Sequence, residues 1–160
     1  MSESVLVRIR RCLTDAAIPF KEVEHQPTPT SEEAAAARGE PLGVGAKALL
    51  LRTDDLFRLF VLPADCKLNS AAIKRHLNLK RLRFATPEEL FECTGLVPGS
   101  VPPFGEPILP FELFADSSIG VRHDRVAFNA GALTVSFIMS AADWERFAKP
   151  RRFPFAKSDD

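Results

Sequence analysis

Val5, Leu6, Ile9, Cys12, Leu13 and Ala16 recur at helical spacing, while Arg8, Arg10 and Arg11 fall on other faces. This pattern predicts an amphipathic helix over 4–17, ended by Pro19. The segment PFKEVEH reads as a short strand, followed by a loop marked by Pro27 and Pro29. Thr30 and Glu33 stand at capping-box spacing in front of an alanine run, which predicts a second helix stopped by Gly39. The Gly-rich stretch GEPLGVG then leads into AKALLLR and, past Asp54-Asp55, into LFRLFVL. These near-continuous apolar runs predict a hairpin of two largely buried strands, with Lys47 at the mouth of the first.

Asn69 or Ser70 caps a third helix, SAAIKRHLN, and RLRFA is expected as a further strand. Thr86-Pro87-Glu88-Glu89 stacks a cap, a proline at the first helical position and a glutamate at the third, which predicts a helix closing at Gly95. The loop LVPGSVPPFGEPILP carries five prolines and is the longest irregular piece of the chain. Long ordered loops of this kind are usually functional. Strands near FELFAD, DRVAFNA and LTVSFIM follow, then a capped helix over 140–147 and a basic tail. The expected fold class is α+β: a single domain over 1–148 with a mixed, mostly antiparallel sheet flanked by helices, and a flexible basic tail over 149–160.

A length of 160 residues suits one domain with its own core. Lysine plus arginine and aspartate plus glutamate are equal at 21 each, so any contact with a polyanion must come from a local patch rather than from the net field. Lys74, Arg75, Lys80, Arg81 and Arg83 form such a cluster, although a solvated helix face accounts for a charge run equally well. The three cysteines lack CxxC spacing, so neither a disulfide framework nor a metal is expected, and a cytoplasmic location fits best. No stretch approaches the apolar length that crosses a bilayer. Thirteen phenylalanines without a tyrosine leave a homodimer with an apolar face open.

Familiar catalytic signatures are missing: there is no GxGxxG, GxxxxGK[ST], GxSxG or HExxH. His25, His76 and His123 are scattered, and neither Cys66 nor Cys93 lies in a motif with a base. Two features remain. Lys47 places a compact cation directly after a Gly-rich segment, where it can meet a phosphate or carboxylate or simply reach solvent. The glycines around Gly99 can let backbone amides approach a carbonyl or oxyanion, or can serve a rigid connector.

Taken together, HQPTPTSEEAA, GAKALLLR, KLNSAAIKRHLNLKRLRFATPEEL and TGLVPGSVPPFG resemble the YbaK/prolyl-tRNA synthetase associated domain family over residues 20–148. The last string contains the family's GxxxP pattern at 99–103. The resemblance implies an aminoacyl-tRNA deacylase without cofactor that acts in trans on a mischarged tRNA, with tRNA(Pro) the expected target. It also implies a transient complex with a prolyl-tRNA synthetase. Lys47 matches the family's functional lysine and Gly99 its catalytic loop. The substrate-binding positions would be Thr30, Ala48, Ser100, Val101, Pro102, Pro103 and Asn129, and the tRNA-binding ones Lys74, Arg75, Lys80 and Arg81. An aminoacyl ester is already activated, so a positioned water and oxyanion stabilisation suffice without a nucleophile. Relatives that remove alanine often carry an asparagine after the lysine and a His-Pro-x-x-Asn segment, where this chain has Ala48 and RVAFNAG with Asn129. The competing reading is a module that keeps the fold and binds aminoacyl-tRNA or an amino acid without hydrolysis.

Overall fold

The structure, a computed structural model, describes residues 3–158. In chain order the elements are α1 (Val5–Asp15), β1 (Lys21–Glu24), α2 (Ser31–Arg38), β2 (Ala46–Thr53), β3 (Leu56–Pro63), β4 (Cys66–Leu68), α3 (Ser70–Leu77) and β5 (Leu82–Phe84). They continue with α4 (Pro87–Thr94), β6 (Leu113–Asp116), β7 (Arg125–Asn129), β8 (Val135–Ser140), α5 (Ala141–Ala148), β9 (Arg151–Phe153) and β10 (Ala156–Ser158).

The β2–β3 hairpin is the spine of the molecule, in register from Ala46 opposite Pro63 to Thr53 opposite Leu56. Asp54 turns it at φ 52°, a left-handed conformation that aspartate tolerates better than most residues. Its strands are buried on both faces because alternate side chains enter two different cores. Ala46, Leu50, Leu59 and Val61 join the larger core with α1, β7, β8 and α5, whereas Leu51, Phe60 and Leu62 join a smaller, phenylalanine-rich one. This explains why the sequence reads as unbroken apolar runs. The hairpin belongs to a five-stranded sheet of order β5-β2-β3-β6-β9, in which β6 runs parallel to both β3 and β9. A three-stranded antiparallel sheet β1-β8-β7 and a two-stranded pair β10-β4 complete the mixed, mostly antiparallel arrangement.

The helix boundaries follow local chemistry. Thr86 and Glu89 form the reciprocal capping box of α4, and the helix closes on Gly95 in the left-handed region. Thr30 Oγ1 accepts from the Glu33 amide at the start of α2, but here the hydroxyl donates to the Glu33 carboxylate, so the box is half formed.

The C-terminal segment departs from the expected flexible tail. Arg151–Phe153 pairs with β6 and Ala156–Ser158 with β4, and Phe153 and Phe155 are buried in the smaller core. The anchor is Asp116, whose Oδ1 accepts the amides of Phe155 (2.7 Å) and Ala156 (2.8 Å) and whose Oδ2 accepts the amide and hydroxyl of Ser118. Burial alone would raise the Asp116 carboxyl, yet these donors outweigh it and hold its pKa below the ordinary value. The domain therefore extends to residue 158, because the two phenylalanines two residues apart send their rings into a core rather than into water.

Candidate active site

A cavity of about 220 Å3 opens between α2, the start of β2, the end of β7 and the Gly99 loop. Thr30, Lys47, Ala48, Gly99, Val101 and Asn129 all line it, so most of the sequence-based site residues, scattered over 100 positions, converge. The hairpin presents Lys47 at one end of β2, and a single parallel bridge from Gly45 to Ala127 ties that end to the three-stranded sheet. Lys47 Nζ donates to the Cys66 carbonyl at 2.9 Å, which holds the ammonium at the cavity wall.

Arg38 and Asn129, which also line the cavity, belong to a polar network within otherwise apolar strands. Asn129 Nδ2 donates to the Gly99 carbonyl (2.9 Å) and, more weakly, to Thr28 Oγ1 (3.4 Å). Its Oδ1 accepts from Ser136 Oγ (3.0 Å) and from an Arg38 Nη (3.1 Å). Arg38 Nε donates to Ser136 Oγ at 2.8 Å. Behind them, His25 Nε2 lies 2.8 Å from Ser136 Oγ, with Nδ1 on the Gln26 carbonyl. A carbonyl only accepts, so His25 Nδ1 donates to Gln26, while the Ser136 hydroxyl has a single proton and gives it to Asn129 Oδ1.

Arg38 is the outstanding group. It is largely buried, lines the cavity, and both of its hydrogen-bond partners are neutral. Desolvation pushes the guanidinium down to about 10, Glu40 opposing weakly, so it stays charged near neutral pH. A guanidinium has five N–H donors and the network uses two, which leaves donors for an acceptor brought by a ligand. Sequence reading missed Arg38 because a cation in the last turn of a helix is explained by the helix dipole alone. Ser136, fully buried in an apolar strand, was the available signal.

Gly99 sits at φ +88°, and a Cβ there would stand 3.3 Å from the Pro29 carbonyl oxygen, so glycine suits both the conformation and the close approach. Among the described residues, the backbone amides of Gly99 and Val101 have no hydrogen-bond acceptor. Three other positions of the loop serve its architecture. Ser100 is buried, with its hydroxyl on the Val97 carbonyl. Pro102 is buried, and the Pro103 carbonyl accepts from Trp144 Nε1 at 2.9 Å. None of these three lines the cavity. Lys74, Lys80 and Arg81 line a separate hollow with Arg52 and Arg83, at the far end of β2, and Arg75 lies exposed on α3. Asp54 shapes that hollow by accepting the amides of Lys80 and Arg81.

The model of the aminoacyl-tRNA editing domain matches residues 25–147, which spans α2, β2, the Gly99 loop and Asn129 together. The chain belongs to this family. Among similar proteins, the multifunctional Ser/Thr-tRNA deacylase ProXp-y of Escherichia coli K12 is 34% identical over 94% of this chain and 92% of its own length. A proline–tRNA ligase of Thermotoga is 34% identical over 54% of this chain, but that match spans only 15% of the ligase. Among solved structures, a candidate trans-editing enzyme for prolyl-tRNA synthetase superposes with a TM-score of 0.83 at 24% identity, covering 99% of this chain and 100% of the other. A computationally designed epitope-presenting scaffold gives 0.84 at 21% identity over 98% of this chain. These two likenesses concern the fold; the family assignment rests on the domain model and on the deacylase relative.

Proposed function

We propose that this editing-family chain is a deacylase working in trans in the cytoplasm, hydrolysing the ester that joins serine or threonine to the 3′ end of a wrongly charged tRNA, with tRNA(Pro) the first candidate. The observation that carries the reading is the meeting, within one cavity, of Lys47 with spare donors of Arg38 and of the Gly99 loop. Hydrolysis of an aminoacyl ester adds water to the carbonyl carbon, places negative charge on the carbonyl oxygen and expels the ribose oxygen, which leaves with a proton. Arg38 and the amides of Gly99 and Val101 supply fixed donors for that oxyanion in a partly dehydrated site, where such donors need no reorganisation. Lys47 supplies a compact charge for a terminal phosphate. Arg52, Lys74, Lys80 and Arg81 would meet the tRNA backbone farther along, and a prolyl-tRNA synthetase would deliver the substrate in a transient complex.

A polar side chain suits this cavity better than an apolar one. Thr28, Arg38 and Asn129 share its lining, and a hydroxyl can accept from Arg38 without stranding a donor. The resemblance to the Ser/Thr-tRNA deacylase over nearly its full length supports the same choice and favours hydrolysis over binding alone. The test is deacylation of a panel of labelled alanyl-, cysteinyl-, seryl- and threonyl-tRNAs by wild type and Lys47→Ala. Hydrolysis of the hydroxyl-bearing esters that disappears in the variant is the expected result. Tight tRNA binding without turnover on any ester returns the chain to the binding-module reading.

A further inference from the structure

A second, smaller hollow of about 150 Å3 adjoins the cavity and shares Ala48, Leu49, Gly99 and Val101 with it. Its other side is formed by Phe84 at the end of β5, Pro87 and Leu90 of α4, and Pro98. No charged residue lines it. Phe84 is 57% exposed, although it occupies a strand position beside a buried core. Three of the six large apolar side chains left exposed among the described residues, Phe84, Phe91 and Val97, come from this one segment. Of these, Phe84 lines the hollow itself, so an exposed aromatic face stands beside the site.

We propose that this hollow binds the terminal adenine of the tRNA acceptor end, with Phe84 as the stacking face. The inference rests on the deacylase reading and extends it to the part of the substrate that carries the ester. Three observations select this occupant. The hollow is smaller than the roughly 300–1,000 Å3 of sites for drug-sized ligands, so it suits one ring system. It shares a wall with the cavity proposed to hold the ester, as the base on the esterified ribose requires. On its other flank, β5 leads from Phe84 back through Arg83 and Leu82 to Arg81, which line the basic hollow with Lys74 and Lys80. Cations, aromatic ring and ester cavity thus follow one another along β5 and β2, so that upstream phosphates lie on one side of the base and the esterified ribose, with its own phosphate at Lys47, on the other. Aromatic faces in such grooves hold bases without regard to sequence, which suits an end common to all tRNAs.

The experiment uses an RNA hairpin mimic of the acceptor stem whose terminal adenine is replaced by fluorescent 2-aminopurine, titrated with wild type, Phe84→Ala and Phe84→Trp, alongside steady-state deacylation of seryl-tRNA. Quenching of the fluorophore by wild type and Phe84→Trp but not by Phe84→Ala is expected. Phe84→Ala should raise KM roughly 10- to 100-fold while kcat stays within about twofold, and Phe84→Trp should keep the wild-type KM. Because the side chain is exposed, its truncation leaves the core intact. Wild-type KM and quenching in Phe84→Ala overturn the base subsite. Failure of wild type to hydrolyse any ester, with quenching preserved, overturns the deacylase reading and leaves the base subsite standing.

Discussion

Arg38 and Asp116 are both charged side chains taken largely out of water, and their surroundings treat them in opposite ways. The Asp116 carboxylate meets four donors, two from the segment it anchors and two from Ser118, and its pKa is held below the ordinary value despite burial. The charged form is the favoured one there. The Arg38 guanidinium meets two neutral acceptors and keeps donors to spare, and its pKa falls to about 10, which means that the charged form is disfavoured. A buried charge whose every hydrogen-bonding site is met holds structure together. One left short of acceptors beside a cavity keeps donors that a ligand or water can engage, and the fold carries part of its desolvation cost.

Arg38→Ala tests the contrast most sharply. Loss of an oxyanion donor typically lowers kcat by about 100- to 1,000-fold, and we expect that range here with the fold retained. Arg38→Lys should fall between, since the charge returns without the planar fork. Wild-type turnover in Arg38→Ala would remove the guanidinium from the chemistry.

Asp116→Ala should do the reverse. Buried amides of Phe155 and Ala156 lose their acceptor, so a loss of about 3 kcal/mol in urea denaturation is expected, with turnover of the folded fraction unchanged. The sign of its pH dependence is fixed by the lowered folded pKa. The stabilisation is present above the unfolded carboxylate value and is lost as pH falls through the folded one, so wild type and variant should converge only in acid.

The smallest effect belongs to a half-buried carboxylate at the surface. Glu89, paired with Arg83 and with the Thr86 amide, has its pKa lowered to about 2. Glu89→Gln should be slightly less stable than wild type above pH 4.5, the ordinary value, and equal to it as pH falls to about 2. The urea midpoint followed against pH reads this directly. A large effect at neutral pH would contradict the distinction between surface and buried charge.

Local signals located most elements. The Asp54-Asp55 turn, the Asn69 cap of α3 and the Thr86 box each depend on contacts within a few residues, and each appears where the pattern placed it. Lys47 and Gly99 were legible as candidates because each breaks its local pattern, a cation before an apolar strand and a glycine in a proline-rich loop. Arg38, Ser136 and His25 were not. Arg38 and Ser136 are 98 residues apart along the chain, and each has an ordinary local explanation until the fold joins them. The C-terminal strands were hidden for a related reason: their basic residues suggest a solvated tail, while their order depends on Asp116, about 40 residues upstream.

The sequence by itself thus determined the helices, the buried hairpin, the family and two residues that line the cavity, because these depend on periodicity, caps and short motifs that the local chain enforces. Only the tertiary structure decided which charges are satisfied. Hydrogen-bond completeness is a property of groups brought together from α2, β7, β8 and the Gly99 loop, and no local pattern encodes whether a guanidinium has spare donors once it is buried.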